Sequence, residues 1–191
     1  MKRTVFCISI YMFTTVVSCK SKSGNNYLKA AKEVLDSIPA LTNKNMNVGK
    51  ENYSLYIPKS WTTAHWTYAG INYYTLHAPV SETDPNTNVN VITENMQNLS
   101  LDVYKEKTIE SIKKEIPSAV ITGEGDIETN SLNGGWYSYT MEPADVRACI
   151  VSYIFPKDGV AYIITAGTQQ KDADRYRSTF DSIAKSFKFN Q

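Results

Sequence analysis

The chain has 191 residues, 42% of them hydrophobic, which is enough for one domain with its own core and makes a metal or disulfide staple unnecessary. Its formal charge is +1, and loss of Lys2 and Arg3 with the leader described next leaves 18 basic against 19 acidic side chains, a balance of −1. That balance excludes the basic excess by which nucleic-acid-binding proteins displace counterions, so no nucleic-acid partner is expected.

Met1-Lys2-Arg3 is a positive n-region, and Thr4 to Val17 is an uncharged apolar run of signal-peptide length, too short for a membrane span. It ends Val16-Val17-Ser18-Cys19, which is similar to the bacterial lipobox: aliphatic at −3, small at −1, then cysteine. The small residue admits the signal peptidase, and the thiol takes the diacylglyceryl group. Residues 1–18 are therefore expected to be a lipoprotein signal peptide and Cys19 the palmitate-bearing anchor. Several acyl chains hold where one does not, because each buried methylene adds about 0.8 kcal/mol. Residues 19–26 comprise the lipidated cysteine and a flexible tether, since Lys20 to Asn26 carries no apolar side chain. Lys20 directly after the cysteine favours the outer over the inner membrane, with the domain outside the cytoplasm.

Residues 27–45 read as a short helix and linker: Leu28, Ala31, Val34 or Leu35, and Ile38 recur at helical spacing before Pro39. The domain itself is expected over 46–191. Tyr53–Ile57 reads as a strand ended by Pro58, Trp61–Trp66 fits no single period, and Ile71–His77 and Val89–Thr93 read as strands around a long loop at 78–88. Ser100 is the expected N-cap of a helix with Leu101, Tyr104, Thr108, Ile109, Ile112 and Ile116 on one face, stopped at Pro117. Ala119–Thr122 and Ile127–Thr129 read as two short strands. Asn133-Gly134 reads as a tight turn before a strand at Trp136–Met141. Val146–Phe155 and Val160–Thr165 form an expected hairpin about Pro156-Lys-Asp-Gly159, with proline presetting φ, and Asp172 caps a last helix bearing Tyr176, Phe180, Ile183 and Phe187. Strands, helix, strands, helix with short connections predict an α+β domain, a mainly antiparallel β-sheet flanked by α-helices.

Several segments, in this order, resemble the PsbP-like domain family: Tyr53-Ser-Leu-Tyr-Ile-Pro-Lys-Ser-Trp61, Asn88-Val-Asn-Val-Ile92, the Ser100-Leu101-x-x-Tyr104 helix start, Gly134-Gly-Trp136, Tyr162-Ile-Ile-Thr165 and Phe180-Asp-Ser-Ile-Ala-Lys-Ser-Phe187. The resemblance spans about residues 47–189. It implies an α/β/α sandwich and little chemistry, because the family holds photosystem extrinsic subunits, a Ran-binding import factor and bacterial lipoproteins. No residue set for photosystem or Ran binding maps onto this chain.

No catalytic constellation emerges. A triad needs a nucleophile, a base and an orienting group, and only His65 and His77 offer a base. Cys149, the one cysteine left in the mature domain besides Cys19, reads as a small buried hydrophobe in a strand. An envelope hydrolase or redox enzyme using His65, His77 or Cys149 is the alternative function. Asp84-Pro-Asn86-Thr-Asn88 imitates the start of a calcium loop but has Val89 where glycine is required and Asn95 where the closing Glu belongs. Glu124, Asp126 and Glu128 alternate and read as a solvated edge. Gly123-Glu-Gly125 lacks the rest of a phosphate loop. No metal and no cofactor are expected.

The aromatic residues are the remaining signal: Trp61, Trp66, Tyr68, Tyr73 and Tyr74 crowd into 14 residues. Core or strand-face roles are the plain reading of such rings. Trp61 is expected in the core, and Trp66, Tyr68, Tyr73 and Tyr74 form the candidate binding surface, beside the 79–88 loop. The sequence thus predicts a non-enzymatic, lipid-anchored binding or assembly module whose protein partner it does not name.

Overall fold

Nine strands and two α-helices make up residues 52–68, 71–80, 86–129, 131–142 and 146–190, the residues described by the computed structural model. The leader, Cys19, the tether and the expected helix at 27–38 lie outside them. So do the side chains of residues 66–68, 71 and 72. In chain order the elements are β1 (Tyr53–Ser54), β2 (Thr62–Tyr68), β3 (Ile71–His77), β4 (Asn88–Asn95), α1 (Leu101–Glu115), β5 (Val120–Glu128), β6 (Asn133–Met141), β7 (Ala148–Lys157), β8 (Val160–Gln169), a 3-10 turn (Gln170–Asp172), α2 (Ala173–Lys185) and β9 (Lys188–Phe189). Strands β2 to β8 form one antiparallel sheet in the order β2-β3-β4-β8-β7-β6-β5.

One helix covers each face. Alternate residues of a strand point to opposite faces, so a central strand covered on both sides is apolar at nearly every position. In β7, Ile150 and Ile154 pack with Tyr104, Ile109 and Ile112 of α1, while Val151, Tyr153 and Phe155 pack with Tyr176, Phe180 and Ile183 of α2. The result is the α+β sandwich that the sequence predicts, a mainly antiparallel sheet between two helical layers.

Helix α1 begins and ends where expected. The Ser100 hydroxyl accepts from the Val103 N–H at 3.4 Å, Asp102 lies in the first turn, Lys113 and Lys114 in the last, and Pro117 follows. At α2, Asp172 occupies the N-cap position, but its side chain makes no capping bond and a 3-10 turn precedes it, which corrects the expected cap.

Four other expectations are corrected. Only Tyr53–Ser54 of the Tyr53–Ile57 run is strand, pairing with β9. The two short strands at 119–129 are one edge strand, β5, bent by a bulge: Ile121 pairs with Tyr139 and Gly123 with Ser138, leaving Thr122 extra, its hydroxyl 2.8 Å from that of Ser138. Asn133-Gly134 lies within β6, and the connection is closed by the Thr129 N–H donating to the Leu132 carbonyl. Finally, Pro156 belongs to β7. Its ring is tolerated because β7 has outrun β6, whose last pair is Gly135 with Ile154, so no bond to β6 is forfeited. The reversal is the two-residue Asp158-Gly159 pair, both left-handed at φ 51° and 76°, which suits the twist of a tight hairpin.

Candidate functional site

Of the four residues of the expected binding surface, Tyr73 and Tyr74 are corrected: both are buried, at 0% and 5% exposure. β3 lies between β2 and β4 beneath both helical layers, so its alternating rings go one to each core, Tyr73 with α1 and Tyr74 with α2. The side chains of Trp66 and Tyr68 fall outside the description. Trp61, expected in the core, is half-buried at its edge, packed against the α2-side cluster and edge-on to Tyr176 at 6.2 Å between ring centroids.

The three residues of the enzymatic alternative are not assembled. His65 pairs with Tyr74 and His77 with Asn88, and the alternation of β2 and β3 puts the two rings on opposite faces. His77 shares a 3.1 Å contact with the Thr75 hydroxyl, and burial pushes its imidazole below the ordinary value. Cys149 lies on the His65 face but four strands away in the sheet order, roughly 19 Å at strand spacing. It is half-buried rather than fully enclosed, because it stands near the outer end of β7. Burial pushes its thiol up, with Arg177 opposing and Asp174 adding to that effect, so thiolate character is suppressed. Glu124, Asp126 and Glu128 are exposed along β5, as expected, and Glu124 reaches Lys105 of α1 at 3.9 Å. Among the described residues no group of three or more His, Cys, Asp or Glu side chains could hold a metal ion.

What the structure does bring together, on the α2 face, is Trp136, Tyr153, Arg177 and Asp181. The space for the indole comes from β5. A Cβ on Gly125 would stand 3.0 Å from Trp136 Nε1, and one on Gly123 3.1 Å from the far edge of the ring. Trp136 therefore lies against a stretch of bare backbone. The Arg177 guanidinium stands over the same indole, 4.8 Å from its centroid. Arg177 Nε donates to both carboxylate oxygens of Asp181, at 3.2 and 3.3 Å, one helical turn on. The Tyr153 hydroxyl donates to Asp181 Oδ1 at 2.5 Å, which locks the carboxylate from the sheet side. Burial pushes the Tyr153 phenol well above its ordinary range, so it stays a donor. Trp136, Arg177 and Asp181 remain half-exposed. The group is a prearranged, partly solvated Trp–Arg pair on a rigid sheet, with Cys149 within electrostatic reach of Arg177 and Tyr153. No sequence motif marked it. The available signal was the alternation of Gly123 and Gly125 opposite a tryptophan one strand away.

A second polar contact lies under α1. Tyr104 donates to Glu94 Oε2 at 2.7 Å, and Tyr137, on the same face, is pushed up to about 12 mainly by burial. Burial also raises the Glu94 carboxyl, against the lowering effect of the Tyr104 bond. A carboxyl with a raised folded-state pKa contributes stability that is present in full below its unfolded value and is lost as pH rises through the folded value. Glu94→Gln removes that titration while keeping an acceptor for Tyr104. The variant is expected to gain thermal midpoint relative to the parent between pH 4 and pH 7; a constant difference across that range would show that the burial is not felt.

The chain matches the family model of the PsbP-like proteins over residues 5–189. A search of the curated proteins finds no match. Among solved structures, the cyanobacterial PsbP of Synechocystis is similar with a TM-score of 0.56 at 13% identity, covering 80% of this chain and 99% of that one. LpqN of Mycobacterium tuberculosis, described as involved in cell envelope biogenesis, has a TM-score of 0.55 at 10% identity and covers 73% and 83%. The Ran-binding protein Mog1p of Saccharomyces cerevisiae has a TM-score of 0.55 at 10% identity and covers 78% and 96%. At these identities the likeness is one of fold. Among the described residues no helix is long and apolar enough to cross a membrane.

Proposed function

Because the chain belongs to the PsbP-like family, and with the matched span taking in Cys19, we propose that it is a lipid-anchored cell-envelope protein whose domain works as a non-enzymatic binding or assembly module. The anchor is Cys19, and the outer membrane is the proposed location. One observation carries the binding reading: the half-exposed Trp136–Arg177 pair, held by Asp181 and Tyr153. Tryptophan, tyrosine and arginine are the side chains that most often dominate protein interfaces, and a prearranged pair loses little side-chain entropy on contact. Two fold neighbours are described respectively as a Ran-binding protein and as involved in cell envelope biogenesis, which suits a fold whose use is recognition.

Crosslinking in native membranes tests it. Arg177→Ala removes an exposed ion pair of small energetic weight, about 1 kcal/mol or less, so the domain should remain folded. Its specific crosslinked product should disappear. A product that persists unchanged in both Arg177→Ala and Trp136→Ala would exclude this surface. The anchor has a separate test: Cys19→Ala should move the protein from the membrane to the soluble fraction or stall its processing, and palmitate labelling that survives the change would exclude Cys19.

A further inference from the structure

The end of the domain where the described chain begins carries its own chemistry. Asn52, where the described chain begins, lies beside its far end: the Asn190 N–H donates to the Asn52 carbonyl at 2.9 Å, and Tyr53 pairs with Phe189. The segment leading from Cys19 therefore enters at the β1–β9 ladder. Around that ladder stand three lysines. Lys157, at the end of β7, sits over the Phe189 ring at 4.4 Å. Lys185 closes α2, and Lys188, exposed, opens β9. Between them are aromatic rings that the core does not fully cover. Phe189 and Tyr162 are half-buried, edge-on at 4.9 Å, and Tyr56 is 46% exposed.

The carboxylates of this region are turned away or engaged. Glu94 is bonded under α1, and Glu124, Asp126 and Glu128 share the α1 face of β5, as the Lys105 contact shows. Asp181 is held by Arg177 and Tyr153. Asp158, at the hairpin tip, is the acidic residue next to Lys157. Lysines flanking half-exposed rings with polar or apolar edges are what a bilayer's head-group layer accommodates: the charge meets anionic lipid and the ring meets the interface.

We infer that this β1–β9 end, with Lys157, Lys185 and Lys188, is the surface the domain lays on an anionic lipid head-group layer. That would leave the Trp136–Arg177 pair for a protein partner. The inference rests on the proposed anchoring at Cys19 only for its orientation; the affinity itself is a property of the domain. It is tested on the mature chain carrying Cys19→Ser, so that no acyl chain contributes, by flotation with phosphatidylcholine vesicles and with vesicles that also contain phosphatidylglycerol. Binding should be confined to the anionic vesicles and weaken with salt. The Lys157→Gln/Lys185→Gln/Lys188→Gln variant should lose about a hundredfold of it, at roughly fivefold per lysine near the surface. Lys107→Gln/Lys113→Gln/Lys114→Gln, the same charge change on α1, should keep most of the binding. Equal losses in the two triple variants, or no preference of the parent for anionic vesicles, would overturn the inference. Palmitate labelling of the unmodified precursor reads the anchor separately, so failure of one claim is distinguishable from failure of the other.

Discussion

Phe187→Ala is expected to lower stability by about 3–5 kcal/mol, the usual cost of emptying a buried aromatic site. Phe187 is 1% exposed and follows α2 at the point where three elements meet. Its ring stacks on Phe155 of β7 at 5.1 Å and 8°, and lies within 5.2 to 6.0 Å of Tyr53, Phe189 and Tyr162. Truncation would remove the shared neighbour of four other rings, stacked on Phe155 and edge-on to Phe189. For a domain of this size 1 kcal/mol moves the melting temperature by roughly 2–4 °C, so a fall of about 6–20 °C is expected in a thermal melt. A fall under about 3 °C would mean that the four rings close over the gap. Phe187→Leu, which keeps most of the volume, should recover much of the loss.

Gly134→Ala is expected to be worse than its single methyl group suggests. A Cβ at this position would lie 2.4 Å from the Ile154 carbonyl oxygen and 2.8 Å from the Phe155 ring. The ring edge could shift by rotation, but the carbonyl belongs to β7, a strand paired on both sides. Relief therefore requires β6 to move away from β7, which disturbs the ladder on which α1 also packs. Overpacking a tight site costs about 1–3 kcal/mol where side chains absorb it, and a backbone contact removes that route. The expected outcome is a loss of more than about 3 kcal/mol of unfolding free energy in urea titration, or failure to accumulate folded protein. Gly159→Ala is the contrasting control: no atom lies within 4 Å of its Cβ, so only its φ of +76° opposes the change, at about 1–2 kcal/mol. If Gly134→Ala cost no more than Gly159→Ala, the strand contact would not be the constraint.

The same two glycines show how far the sequence could be read. Gly159 sits in a turn, and a turn is local: Asp-Gly between two apolar runs announced the hairpin, even though the proline beside it belongs to the strand. Asn133-Gly134 presented an equally strong local signal and is not a turn, because what requires glycine there is a carbonyl on another strand. Both helices were legible because a 3.6-residue period is short-range, as is the Ser100 cap of α1. Strand β5 was read as two pieces, since Gly123 and Gly125 interrupt its apolar pattern; they are glycine to admit Trp136, which only the pairing with β6 reveals. Tyr73 and Tyr74 were read as a surface because an aromatic cluster looks alike whether it meets a partner or two cores. Their place in the sheet order decides the matter, and order is not written in any one segment. For the same reason Tyr153 could not be joined in advance to the local Arg177–Asp181 pair: its bond crosses from strand to helix over 28 residues.

The β1–β9 ladder puts residues 52 and 190 within one hydrogen bond of each other. A short linker could therefore join them and let the chain be opened in the connection from β3 to β4 instead, giving a circular permutant with every strand pair intact. The same closeness means that a reporter fused after residue 190 would sit beside residue 52, where the described chain begins, not at the far side of the domain.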